Sequence, residues 1–237
     1  MGGRGRWFDH YVSSSPWPSA VLFDMDGTIV DTEPYWVAAE YALVDSFAGQ
    51  WSDELAMSLV GNALPASAEI LRQRGVALDV EVIVDRLLDE VIAQCQRVIP
   101  WRPGARDLLA ELGAAGVPCA LVTMSYLRLA ETVIAGLPDD CFATLVTGDQ
   151  VTDGKPHPEA YLLAAQRLGV DPAGCVAIED SPTGVASAEA AGCIVVAVPH
   201  HVPIGPAEGR TVIASLAELN LRRLRRIAGS AAHSFGR

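Results

Sequence analysis

Lysine is all but missing from this chain of 237 residues: among seventeen basic side chains there is one, Lys155, and the rest are arginine. Acidic residues number 29, which sets the formal net charge at −12 and the isoelectric point near 4.7. No basic stripe or RNA-binding motif relieves that acidity, so nucleic acid and anionic membrane are excluded as expected partners. No run of eighteen apolar residues is present, and Met1 to Ser19 lacks the apolar stretch of a secretory signal. The five cysteines, Cys95, Cys119, Cys141, Cys175 and Cys193, form no C-x-x-C pair. They read as small core residues in a reducing compartment rather than as a redox couple or nucleophile. These absences describe a cytoplasmic protein, expected as a monomer.

What is present is an ordinary globular composition, 50% apolar and 19% charged, long enough for one domain with an insertion. Its most informative run is Ala20-Val21-Leu22-Phe23-Asp24-Met25-Asp26-Gly27-Thr28. The apolar stretch reads as a buried strand, and two carboxylates emerge at its C-terminal end, where open α/β sheets bind ligands. On an extended backbone Asp24 and Asp26 point the same way, and a turn at Gly27 lets the second swing over the first. One can then attack while the other moves protons, the arrangement of a phosphoryl-transfer site. The plainer alternative is an acidic turn closing a core strand.

Lys155 bears on that choice. In a chain that otherwise uses arginine, Asp153-Gly154-Lys155-Pro156-His157-Pro158 keeps a compact ammonium, as a point charge beside a phosphate and a carboxylate would require. Pro158 suits the start of a helix from Glu159 to Leu168 that stops before Gly169. A further strand, Cys175 to Ile178, ends in Glu179-Asp180, and another, Ala120 to Thr123, runs into Met124 and Ser125 ahead of a helix from Leu127 to Ile134. Hydroxyls at a helix N-terminus can bind an anion or simply cap the helix.

Together these four segments resemble the haloacid dehalogenase superfamily in its Mg²⁺-dependent phosphatase and phosphomutase branch, over roughly Ala20 to Val198. Asp24-Met25-Asp26-Gly27-Thr28 looks like the first motif, Thr123 the second, Lys155 the third and Glu179-Asp180 the fourth. The resemblance implies a nucleophile at Asp24 and a general acid/base at Asp26. Phosphate contacts would come from Thr123 and Lys155, with Met124 and Ser125 beside them. Mg²⁺ would be held by Asp24, the Asp26 carbonyl and Asp180, with Glu179 as a further ligand or an acceptor behind them. The implied reaction is hydrolysis of a small, sugar-like phosphomonoester through an aspartyl-phosphate, so a small phosphorylated metabolite is the expected partner.

Two proline-containing joints, Asp31 to Pro34 and Ile99 to Gly104, bracket a segment of helical texture. Its clearest part runs from Asp79 to Val98, with apolar residues at helical spacing. After Gly104 strands and helices alternate, as βαβ units of a parallel sheet do. Strands are expected at Val21–Asp24, Pro118–Thr123, Ala143–Thr147, Cys175–Ile178 and Ile194–Val198. The expected fold is α/β, a Rossmann-like parallel sheet in residues 19–32 and 101–227 with an α-helical cap inserted at 33–100. Residues 1–18 and 228–237 are expected to be loose. A last helix is expected from Leu216, capped by Ser215 with Glu218 completing the box. Its arginines read as a helix end rather than a binding arm. His200-His201 reads as a solvated loop or a substrate edge.

The rivals differ by residue. A metal-free dehalogenase would lack Asp26, and a phosphonatase would need a cap lysine, of which residues 33–100 have none. A β-phosphoglucomutase resembles the chain more closely. Its cap arginine for a distal phosphate has no match in Gly61-Asn62-Ala63-Leu64-Pro65, which leaves Arg72 or Arg74 as substitutes. A family member that has lost catalysis and only binds would show a broken motif, and none is broken. Trp36, Asn62 and the helix from Pro65 to Arg74 are the expected substrate-contacting places of the cap.

Overall fold

The computed structural model describes residues 18–234, and side chains as far as 230. The expected N-terminal segment therefore lies, apart from Pro18, outside the described residues. Six parallel strands, β1 (Ala20–Phe23), β2 (Cys119–Val122), β3 (Thr144–Val146), β4 (Cys175–Glu179), β5 (Ile194–Ala197) and β6 (Arg210–Val212), form one sheet in the order β3-β2-β1-β4-β5-β6. Both faces are covered, so the central strands are apolar without alternation. Val21 and Phe23 of β1 enter the larger core, whereas Ala20 and Leu22 enter the smaller one on the opposite face.

Between β1 and β2 the chain forms α1 (Glu33–Asp45), α2 (Asp53–Met57), α3 (Leu64–Gln73), α4 (Val80–Arg97) and α5 (Ala105–Ala114). Then α6 (Leu127–Ile134), α7 (Glu159–Leu168), α8 (Pro182–Ala190) and α9 (Leu221–Ser234) return the chain along the sheet. The apolar stripe of α4, including Ile83, Leu87, Leu88 and Val91, is buried in the larger core with residues of α1 and α3. Helix α7 has the bounds expected from Pro158 and Gly169, the glycine taking a left-handed φ of 69° just past the helix end. The two joints run side by side: Asp31 N–H donates to the Pro100 carbonyl at 2.8 Å, and Arg102 N–H to the Ile29 carbonyl at 2.9 Å.

Three expectations are corrected. Strand β6 was not expected; it is three edge residues, two half-buried and one exposed, too short to show a period. The last helix starts at Leu221, not Leu216. Ser215 Oγ accepts from Ala217 N–H and Glu218 from Ala214 N–H, closing a short 3₁₀ turn, while Asn220 accepts from Arg223 N–H at the true helix start. Because α9 continues to Ser234, residues 228–234 are helical rather than a loose tail.

Candidate active site

The acids and the lysine meet where β1, β2 and β4 end, beside the point at which strand order reverses, the usual ligand crevice of such a sheet. Asp24, Lys155, Glu179 and Asp180 are all buried, Glu179 completely. Lys155 Nζ gives its three protons to Asp24 Oδ1 at 2.7 Å, Glu179 Oε1 at 2.6 Å and the Val122 carbonyl at 2.9 Å. Burial works against its charge, but the two carboxylates hold its pKa above the ordinary lysine value.

Asp24 shows the opposite balance. Burial first, then the Glu179 charge, push its carboxyl up to about 7 in spite of Lys155, and its second oxygen, Oδ2, is buried with no hydrogen-bond partner. Asp180 is also raised, by burial and then by Asp24 and Glu179. Gly27 lets Asp180 approach the first loop. At φ 87° it adopts a conformation disfavoured for other residues, and a Cβ there would lie 2.0 Å from Asp180 Oδ2.

Glu179 is fully engaged. Oε1 also accepts the Tyr161 hydroxyl at 2.7 Å, and Oε2 accepts from the Asp180 and Ser181 amides and the Ser181 hydroxyl. Gly184 leaves room for it on the first turn of α8, since a Cβ would fall 1.9 Å from Oε1. Its oxygens thus face lysine, tyrosine and backbone, which suits an acceptor that positions Lys155 better than a metal ligand. Lys155 N–H also points at Met124 Sδ, at 3.2 Å.

Asp26 is half-buried and receives three hydroxyls: Thr32 at 2.5 Å, Ser125 at 2.8 Å and Thr123 at 3.1 Å. Thr123 and Ser125, read from sequence as phosphate contacts, here orient the second carboxylate. The anion site suggested for the start of α6 is filled by the chain itself, because Asp149 accepts the first helical amide, that of Leu127, at 3.1 Å.

These residues floor a cavity of about 80 Å³ roofed by α1, α3, α4 and the turn before α3. Trp36, Asn62 and Ser67 line it, as do Glu33, Glu40, Leu87 and His201. Arg72 does not; it pairs with Glu69 on the exposed face of α3, and Arg74 is exposed as well. His201 and His200 both bond Asp31, at 3.1 and 3.0 Å. Sequence reasoning missed Thr32, Tyr161, Ser181, Glu33 and Glu40. A threonine just before a helix was a signal for Thr32, although it orients Asp26 instead of capping. Nothing in the linear pattern marked Tyr161.

One oxygen from each of Asp24, Glu179 and Asp180 lies within 4.8 Å of the others. With three buried acids and one buried lysine, full ionisation leaves two negative charges uncompensated, and one oxygen of Asp24 has no hydrogen-bond partner. A hard divalent cation of Mg²⁺ type fits a donor set made only of oxygen.

The family model of haloacid dehalogenase-like hydrolases matches residues 18–192. Hexitol phosphatase A of Escherichia coli is 38% identical over 179 residues, covering 75% of this chain and 81% of that protein. The phosphorylated carbohydrates phosphatase of Thermotoga maritima is 33% identical over 178 residues, covering 73% and 81%. Among solved structures, CbbY from Rhodobacter sphaeroides in complex with xylulose 1,5-bisphosphate superposes with a TM-score of 0.75 at 29% identity, covering 85% of this chain and 96% of that one.

Proposed function

We propose, on the premise that this chain belongs to the haloacid dehalogenase-like hydrolases and is a phosphoric monoester hydrolase, that it dephosphorylates a small sugar or polyol phosphate with Mg²⁺ bound. Asp24 is the proposed nucleophile. The observation that carries this reading is its buried carboxylate in the lining of the cavity, with one oxygen fixed by Lys155 and the other unpaired. The relatives that act on hexitol phosphates and phosphorylated carbohydrates support the substrate class.

In the first step Asp24 Oδ2 bonds to phosphorus as the bond to the leaving oxygen breaks, and Asp26 gives that oxygen a proton. In the second step a water oxygen bonds to phosphorus, Asp24 leaves, and Asp26 takes the water's proton. The three hydroxyls on Asp26 hold it over the reacting atoms through both steps. Lys155 keeps Asp24 Oδ1 turned away from the phosphate, and Glu179 with Tyr161 keeps Lys155 in place. Asp24, Asp180 and the Asp26 carbonyl would hold the Mg²⁺, which when bound supplies the charge that keeps these acids ionised and draws electron density from the phosphate.

Residues 33–100 act as a cap. The cavity of about 80 Å³ is closely roofed by these residues, and an opened form would admit the substrate. The paired joints at Ile29–Asp31 and Pro100–Arg102 are where the two parts would rotate. The absence of arginine from the cavity lining among the described residues favours a phosphatase over a mutase, which must hold a distal phosphate.

The test is phosphate release from sugar phosphates, hexitol phosphates and p-nitrophenyl phosphate, with Mg²⁺ and with chelator. Metal-dependent release is expected, with Asp24→Asn losing all measurable turnover. Near wild-type turnover in Asp24→Asn would refute the covalent mechanism. A protein inert toward every ester would leave it a binding module, and glucose 6-phosphate formed from β-glucose 1-phosphate would make it a mutase.

A further inference from the structure

Glu40 is a buried acid that the reaction above does not use. It sits on α1, 4% exposed, and lines the same cavity as Asp24. Its Oε2 is buried and makes no well-formed hydrogen bond; the internal group beside it is the Trp51 indole, whose buried N–H is likewise left without a well-formed bond. An unpaired buried carboxyl oxygen is a standing cost to the fold, and a partner that arrives with a ligand would remove it. Burial and then the neighbouring Glu33 charge push this carboxyl up to about 8, so at neutral pH it can both donate and accept a hydrogen bond.

The surroundings indicate which ligand groups fit. Trp36, Asn62 and Ser67 line the same cavity, and the Asn62 side-chain amide also donates to the Ser58 carbonyl at 3.2 Å. Glu33 contributes a second acid, and among the described residues no arginine lines the cavity. Lys155 is committed to the floor, and His201 is tied to Asp31. A second phosphate entering here would meet two carboxyls and, among the described residues, no uncommitted cation. A row of hydroxyls would meet donors and acceptors.

Resting on the phosphatase reading, we infer that Glu40 is a specificity-determining residue that hydrogen-bonds hydroxyls of the leaving group. It thereby selects an uncharged polyhydroxylated phosphomonoester over a bisphosphate or an ester lacking hydroxyls.

Steady-state phosphate release with Mg²⁺ is measured on sorbitol 6-phosphate, fructose 1,6-bisphosphate and p-nitrophenyl phosphate, for wild type, Glu40→Met and Glu40→Gln. Glu40→Met keeps the volume and loses the polar group. It should lower the ratio of kcat/KM on the hexitol phosphate to that on p-nitrophenyl phosphate about tenfold, chiefly through KM. Glu40→Gln retains a donor and an acceptor and should recover most of that ratio. Wild type should favour the hexitol phosphate over the bisphosphate by about tenfold or more. An unchanged ratio in Glu40→Met, an equal loss on both esters, or a wild-type preference for the bisphosphate overturns the inference. The last comparison needs no variant to fold. Wild type inert even toward p-nitrophenyl phosphate would instead overturn the phosphatase reading, and this inference with it.

Discussion

Lys155 Nζ donates to Asp24, Glu179 and the Val122 carbonyl at once, so the position of Asp24, the proposed nucleophile, depends on Glu179, which is not hydrogen-bonded to it. Tyr161 is one step further out, fully buried and bonded to Glu179 at 2.7 Å. Tyr161→Phe removes one charge-assisted hydrogen bond and leaves the rest, so urea unfolding should show a loss of about 1.5–3 kcal/mol. Turnover should fall by less than in any Lys155 variant. Gly27 makes a sharper case. Gly27→Ala would set a methyl 2.0 Å from Asp180 Oδ2 at a φ that alanine rarely adopts, so Asp180 must move. The Mg²⁺ concentration giving half-maximal activity should rise at least tenfold, and an unchanged value would remove Asp180 from the ligand set. From sequence, Asp24, Asp26, Lys155 and Asp180 were legible because strand ends and a unique lysine mark them. Tyr161 and Glu40 were not, because a tyrosine or glutamate on a helix reads the same whether it faces solvent or a buried acid.

At the scale of elements, α1 carries an acid pair, Glu33 and Glu40, against the floor of the site. Burial and the Asp26 and Asp31 charges push Glu33 up to about 7, and burial with the Glu33 charge pushes Glu40 up to about 8. Each group starts from an unfolded value of 4.5. Between 4.5 and about 8 the folded form holds the Glu40 proton that the unfolded chain has released, so this group removes stability as pH rises through that window. The melting temperature should therefore fall more steeply from about pH 5 to about pH 8 in wild type than in Glu40→Gln, whose uncharged amide escapes the penalty. Parallel slopes would mean that Glu40 titrates normally. Legibility at this scale followed punctuation. Helix α7 lay between Pro158 and Gly169 and was read to the residue, and α4 to within one residue at each end. The start of α9 was misplaced because Ser215 and Glu218, a capping pair by pattern, close a 3₁₀ turn.

At the scale of the molecule, the helical layer and the sheet layer are in contact around a cavity of about 80 Å³, and the proposed reaction has them part to admit substrate. The contact can be named. Gly61, at φ 79°, lies where a Cβ would be 3.4 Å from Ser181 Oγ, and a Cβ on Gly154 would be 3.5 Å from that of Ala63. That second spacing falls in the range of about 3.5–4.5 Å found across disulfides. The double variant Ala63→Cys, Gly154→Cys would join the turn before α3 to the loop that carries Lys155, once Met124 Sδ yields the space it holds 2.9 Å from the new Cβ. Four of the five native thiols should not compete, and the fifth, half-buried Cys141, is taken out by Cys141→Ser in the background of the test. Cys95, Cys119, Cys175 and Cys193 are buried, and burial pushes their thiols up to about 11 or 12, which leaves little thiolate for a mild oxidant. The oxidised variant should lose at least tenfold in kcat/KM on a sugar phosphate and regain it with reductant, while keeping its melting temperature or raising it. Full activity in the oxidised form would mean that substrate reaches Asp24 without separating Ala63 from Gly154, and the rotation at Ile29–Asp31 and Pro100–Arg102 would give way to motion within the layer above the site.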